Sequence, residues 1–335
     1  MSRAGAVTVR ALEPEDEPRV VELLQRAFGD WPRIEGVQPA GFFRWKHTAS
    51  PFGASICLVA EADGALIAFV AMMPWRLRIG EQVVSAIRGV DLAVDPAHQR
   101  RGVSMSLIGA ARDHYSDDVA LAWTNPNEYS RGGLLKSGRR KVNGLPRFVG
   151  PGGPLRLTIR RALTGGAGTP PRRLAGEPAA VVLEDRTRTE RLLERARTPG
   201  DRVTTDADPA FLDWRYGRIG AYRAVAAERA GGRGAGVAIF RVRSYGRFWV
   251  AQICELFVEH DDPRTARRLF AQVRKAARVD VIVCSLPSRA HAARRGFVKS
   301  PGGALLTVNP LRENLCPDPT LPASWALSLG DLELL

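Results

Sequence analysis

Apolar and polar positions along this chain follow two periods, and the switches between them mark its elements. Val7-Thr8-Val9-Arg10 alternates as a short strand. Over residues 14–28, Val20, Val21, Leu23, Leu24 and Phe28 fall on one side of a predicted helix. The apolar runs 56–60 and 66–72 are split by Asp63-Gly64, a strong hairpin signal, and the runs 77–79 and 83–87 flank Gly80 in the same way. Residues 90–94 read as a strand ending at Asp95-Pro96, 104–115 as a helix, and 119–123 as a further strand. Strands and helices in this order predict a mixed α/β layer fold.

Residues 150–178 interrupt the pattern. Gly150-Pro151-Gly152-Gly153-Pro154 and Gly165-Gly166-Ala167-Gly168-Thr169-Pro170-Pro171 bracket a short basic segment, as in a linker. Beyond it the first half recurs weakly. Phe42-Phe43-Arg44-Trp45-Lys46-His47 aligns with Phe211-Leu212-Asp213-Trp214-Arg215-Tyr216, Asp91-Leu92-Ala93-Val94-Asp95 with Glu255-Leu256-Phe257-Val258-Glu259, and the run 120–126 with 281–287. The matches keep their order, which points to tandem duplication of one fold. The expected division is a first domain at 1–150, a Gly/Pro-rich linker at 151–177, a degenerate copy at 178–316 and a C-terminal tail at 317–335.

Composition narrows the picture. With 335 residues, 45% hydrophobic and 25% charged, the chain reads as an ordinary globular protein able to form two cores. No apolar run reaches membrane-spanning length and no secretory h-region follows Met1, so the expectation is a cytoplasmic protein without a membrane partner. The net charge of +14 comes almost wholly from arginine, with five Lys among 49 basic residues. Without a nucleic-acid motif beside it, that charge suits a phosphorylated small ligand better than a nucleic acid. The four cysteines form no C-x-x-C and the five histidines no cluster, so neither a disulfide framework nor a metal site is expected.

The chemistry concentrates in residues 90–107, where a strand runs through Gln99-Arg100-Arg101-Gly102-Val103-Ser104 into a helix. Such a turn presents unpaired helix N-terminal amides to an anion, and Gly102 lets backbone approach a phosphate closely. The sequence is neither a P-loop nor a dinucleotide fingerprint.

The stretch resembles the acyl-CoA signature of the GNAT acetyltransferases, Q/R-x-x-G-x-G/A preceded by V-x-P. Gln99, Gly102 and Ser104 fill the three positions, and Val94-Asp95-Pro96 supplies the V-x-P. A second GNAT signature, N-x-x-A-x-x-x-Y-x-K-x-G-F, is matched by Asn127, Lys136 and Gly138 in register, with Ser130 in place of Ala. The chain departs from it at Leu134, where the family often has a tyrosine acid, and at Arg139, where it has an aromatic residue. The resemblance implies two GNAT-like domains, each a mostly antiparallel sheet flanked by helices. It implies acetyl-CoA or another acyl-CoA as cosubstrate, bound by Leu92, Ala93, Val94, Gln99, Arg100, Arg101, Gly102, Val103, Ser104, Met105 and Asn127. The implied activity is N-acetyl transfer to a primary amine of a small molecule, without a metal; a homodimer is the expected assembly.

Asp91 is the candidate base on the cofactor strand, its structural alternative being a bond to backbone or to Arg88. Glu128 is a weaker second candidate for the base, and Tyr129 is a weak candidate acid. The recurrence after Glu259 lacks a glycine and carries Asp261 and Asp262, charges that would repel pyrophosphate. Competing readings are a non-catalytic acyl-CoA sensor or scaffold, and a relative of the aminoacyl-transferring peptidoglycan-bridge enzymes, against which the intact loop counts.

Overall fold

The computed structural model describes residues 7–29, 31–32, 34–153, 175–197, 200, 202–229, 234–285, 296–300 and 303–332. Most of the expected linker lies outside them, as do Leu286 and Pro287 of the third repeat match. The chain forms two compact units that interleave in sequence, Met1–Asn143 with Leu305–Ser324, and Gly144–Ala304 with Trp325–Leu334.

In unit 1, β1 (Thr8–Ala11), α1 (Glu17–Phe28) and α2 (Pro39–His47) precede three antiparallel strands, β2 (Ile56–Ala62), β3 (Ala65–Ile79) and β4 (Gln82–Val94). Then follow α3 (Val103–Arg112), β5 (Val119–Thr124), α4 (Glu128–Lys136) and β6 (Arg140–Leu145). The β2–β3 turn is made by Asp63 (φ 51°) and Gly64 (φ 74°), the two left-handed residues that a tight hairpin of right-twisted strands requires. The runs 66–72 and 77–79 form one strand, as do 83–87 and 90–94. Pro74 is carried inside β3 opposite Ile87, two residues past the last pair with β2, Ile56↔Met72. A late strand, β15 (Ala304–Pro310), pairs antiparallel with β5. The sheet order is β1-β2-β3-β4-β5-β15-β6, with β4 and β5 parallel. Its core stacks Leu58, Ala60, Val70 and Met72 of the sheet on Val103, Leu107 and Ala111 of α3. Burying those α3 residues aims the start of the helix at the end of β4.

Unit 2 opens with β7 (Phe148–Pro151) and β8 (Glu177–Pro178), then α5 (Ala179–Leu183), α6 (Arg186–Ala196), β9 (Val203–Thr205), α7 (Pro209–Leu212) and a π-helical turn, Asp213–Gly217. After these come β10 (Arg223–Ala227), β11 (Gly236–Tyr245), β12 (Phe248–Val258), α8 (Pro263–Ala277), β13 (Val281–Cys284) and β14 (Val298–Lys299). The sheet order is β14-β7-β13-β12-β11-β10-β8. From β10 to β13 the unit repeats the order β2 to β5: three antiparallel strands, a helix, and a strand parallel to the last. Leu269, Phe270 and Val273 of α8 pack on Phe240, Ile253 and Ile282. Beside each parallel pair lies a strand from the other half of the chain, β15 next to β5 and β7 next to β13. The mixed α/β fold with two sheets flanked by helices agrees with the sequence expectation.

Candidate active site in the first unit

β4 ends at Val94, and Asp95 begins the turn by accepting the Ala97 amide at 3.0 Å. The Gln99 side chain donates from Nε2 to the Val94 carbonyl at 3.2 Å and ties the loop back to its strand. Arg100 and Gly102 adopt left-handed φ of 61° and 85°. Gly102 precedes α3, and having no side chain it leaves the helix start uncapped. Among the described residues the amides of Gly102, Val103 and Ser104 meet no acceptor. These are the orphan donors of a helix N-terminus, turned toward an exposed loop that carries Arg100 and Arg101. Met105 is a correction to the expected set. Its amide closes on the Gly102 carbonyl at 2.9 Å, so it is consumed by the helix. The Val103 side chain is buried in the core, which leaves only its backbone at the helix start.

Among the described residues the end of β4 also lacks a strand partner on its β5 side. β4 and β5 pair from Ser85↔Val119 to Arg88↔Trp123. There the Thr124 hydroxyl donates to the Gly89 carbonyl at 2.7 Å and closes the paired region. Beyond it β4 continues to Val94 with β3 on its other side, while the chain after β5 turns off into Asn125-Pro126-Asn127. The register slips between Phe69↔Ala93 and Ala71↔Val90, so Asp91 and Leu92 together face Val70 as a bulge. Arg88 lies under the divergence, 1% exposed, with its guanidinium 5.0 Å from the Trp75 ring and 4.6 Å from the Trp123 ring. No sequence signal marks this cation between two indoles.

Asp91 is the bulge residue, at φ 49°. Its carboxylate points to α2, where Lys46 Nζ lies 2.9 Å from Oδ1 and 2.8 Å from Oδ2. His47 Nε2 lies 3.1 Å from Oδ2, and the other ring nitrogen is 3.2 Å from the Ser55 hydroxyl. Burial holds the His47 pKa below its ordinary value against the pull of Asp91. A neutral ring that donates from Nε2 and accepts at Nδ1 satisfies both contacts. Burial by itself would raise the Asp91 pKa, but the Lys46 ammonium and the His47 hydrogen bond hold it well below the usual carboxylate range. A carboxylate so weakly basic, with both oxygens engaged, is a poor proton acceptor. The base role expected of Asp91 does not fit this geometry, and its partner is Lys46 rather than Arg88. Lys46 and His47 were in view as part of the Phe42 to His47 match, which the sequence marks only as a repeat.

The second motif forms α4. Asn127 caps it, its Oδ1 accepting the Ser130 amide at 2.8 Å and the Ser130 hydroxyl at 3.0 Å. That carboxamide oxygen is therefore structural, whatever its NH2 group contacts. Leu134 is buried, Glu128 and Lys136 are exposed, and Tyr129 is 87% exposed. A phenol so open to water gains none of the shielding a catalytic acid uses. Gly133 meets Met105, where an added Cβ would lie 3.3 Å from the sulfur, so α4 sits close against α3.

Unit 2 differs at each of these points. Asp262 caps α8, accepting the Arg264 and Thr265 amides at 3.1 and 3.0 Å, so the helix start is filled by the protein's own carboxylate. Glu259 accepts the Ala235 amide at 2.8 Å and pairs with Arg195 and Arg229. Glu255, matched to Asp91 in sequence, accepts the Tyr216 hydroxyl at 2.6 Å and the Ser328 hydroxyl at 2.8 Å on one oxygen. Burial and then Asp331 push its pKa up to about 8, against the pull of the two hydroxyls and Arg215. The folded unit therefore keeps a proton that an unfolded chain releases near 4.5. Stability should be full below that pH and fall as the pH rises through about 8. Thermal unfolding between pH 5 and 9 should show this decline and a flatter profile in Glu255→Gln; equal slopes in the two proteins would contradict the assignment.

Residues 8–132 match the family model described as an acetyltransferase (GNAT) domain. Among solved structures the chain is similar to a GCN5-related N-acetyltransferase from Anabaena variabilis, with 11% identity, 92% of this chain and 73% of that one covered, and a TM-score of 0.64. It is also similar to one from Kribbella flavida, with 17% identity, coverage of 92% and 72%, and a TM-score of 0.57. Eis1 from Mycobacterium abscessus gives 16% identity, coverage of 91% and 73%, and a TM-score of 0.56. At these identities the likeness is one of fold. No curated protein matches the chain significantly.

Proposed function

We propose, from the GNAT domain at residues 8–132, that this protein is an acyl-CoA-dependent N-acyltransferase, most simply transferring acetyl from acetyl-CoA to a primary amine of a small molecule. The observation that carries the reading is the uncapped start of α3, whose Gly102, Val103 and Ser104 amides, among the described residues, stand free beside the unpaired edge of β4. The amides and the Arg100 and Arg101 charges suit the pyrophosphate of CoA, and the β4 edge around residues 92–94 suits its pantetheine arm as an added strand. The thioester would then lie at the mouth of the β4–β5 divergence. A neutral amine attacks its carbonyl carbon, the C–S bond breaks, and the proton lost by the nitrogen leaves with CoA as its free thiol. Asp91 contributes here as the buried anchor of the bulge.

The free α3 start against the capped α8 start supports a single acyl-CoA site. Isothermal titration of the full chain with acetyl-CoA should give one site; two sites, or none, would overturn this reading. Buried Leu134 at the family's tyrosine position favours one alternative, an acyl-CoA sensor without transfer. Thiol release measured across a broad amine panel separates the two: release supports the enzyme, and binding without release for any amine supports the sensor.

A further inference from the structure

In unit 2 the parallel pairing of β12 and β13 runs from Val250↔Val281 to Ile253↔Cys284 and stops, and β12 bulges between Ile253 and Glu255. Strands diverge here as β4 and β5 do in unit 1. This divergence is filled. Ser285, the residue after β13, donates through its hydroxyl to the Leu327 carbonyl at 3.1 Å, and on β12 Glu255 accepts the Ser328 hydroxyl at 2.8 Å. Two consecutive residues thus bridge the parted strands. Arg215 Nη2 donates to the Gly330 carbonyl at 3.2 Å, and the Thr205 hydroxyl to Asp331 Oδ1 at 2.6 Å. The Ala326 amide bonds the Val203 carbonyl at 3.0 Å. Every residue from Trp325 to Leu332 is buried. At Gly330 the backbone lies directly on the floor, where an added Cβ would be 1.8 Å from the Tyr216 hydroxyl and 2.7 Å from Glu255 Oε1.

We propose that the divergence of β12 and β13 is a peptide-binding cleft and that residues 325–332 are its resident ligand, placed where the corresponding cleft of unit 1 would hold acyl-CoA. The comparison with unit 1 rests on the proposed function; the peptide cleft itself rests on the contacts of unit 2. Its floor reads peptide chemistry. Arg215 and Ser285 donate to two backbone carbonyls, Glu255 takes a serine hydroxyl, and a glycine is required opposite Tyr216. Trp325, Leu327, Leu329 and Leu332 supply apolar bulk, each at most 3% exposed. Phosphate has no seat here, since Asp262 fills the start of α8. The ligand class is therefore an apolar peptide with a Ser-x-Gly core, not a nucleotide thioester.

The test uses the full chain. Gly330→Leu should lift the segment from the cleft, raising hydrogen exchange at residues 326–332 at least about tenfold while the α8 amides stay protected. A fluorescent peptide of residues 325–335 should then bind the variant at one per chain and leave the unaltered protein unbound. The same peptide carrying Gly330→Leu should not bind. Gly330→Ala serves as a milder second variant if the leucine prevents folding, with the same exchange readout. Unchanged protection in a folded variant, or a lifted segment with no peptide capture, overturns the proposal. So does a second acetyl-CoA site appearing once the segment is displaced. Failure of the unaltered chain to bind acetyl-CoA would instead sink the proposed function and leave peptide capture to be judged by its own readout.

Discussion

Gly102→Glu should weaken acetyl-CoA binding by at least about 100-fold, or about 2.7 kcal/mol. Two effects add. Gly102 sits at φ 85°, and any side chain there costs about 1–2 kcal/mol of left-handed strain. An added Cβ meets nothing within 4 Å, so no clash contributes. The larger effect is charge: a carboxylate about 4 Å from a phosphate is worth about 4 kcal/mol of repulsion near a protein surface. It can also fold back and cap the α3 amides, as Asp262 caps α8. Gly102→Ala separates the two effects, because it carries the strain without the charge and should cost only about tenfold. Titration calorimetry on both variants, with circular dichroism confirming the fold, makes the measurement. Wild-type affinity in Gly102→Glu would place the pyrophosphate elsewhere.

The loop was legible in the sequence because its chemistry is contiguous. Six successive residues from Gln99 to Ser104 make the turn, the brace and the free amides. The Asp63-Gly64 hairpin was legible for the same reason. What escaped lay between distant segments. Lys46 and His47 meet Asp91 only after α2 packs on the sheet, more than forty residues away in sequence. The sequence shows two polar residues beside Trp45 and says nothing of their burial. The exchange of β15 and β7 between the two sheets was equally hidden, since a short strand does not announce its neighbour. The register slip at Asp91 explains a third miss. A bulge turns the side chain away from the face that strict alternation assigns, so a carboxylate expected at the cofactor edge lies instead under α2.

Asp91→Ala should destabilise the protein by about 3–5 kcal/mol, the usual cost of stranding one member of a buried ion pair. Lys46 is only 4% exposed at its side chain and would keep its desolvation cost without its partner. Asp91→Asn is the gentler probe, since asparagine tolerates the left-handed backbone at φ 49° and can still accept from His47. The double variant Asp91→Asn with Lys46→Met should recover much of the loss, because removing both charges removes the unpaired one. Urea unfolding of the wild type, Asp91→Asn, Lys46→Met and the double variant yields the coupling directly. The depressed pKa gives a further sign: the ion pair's contribution is full above the ordinary value of 3.8 and is lost only as the pH falls through the folded value. A working base behaves otherwise. If Asp91 accepts the amine proton, Asp91→Asn should abolish turnover while stability and acetyl-CoA affinity stay intact, and the acid limb of the kcat/KM profile should vanish. As an anchor, it should lose stability first, keep that limb in place, and raise KM for acetyl-CoA as the β4 edge loosens.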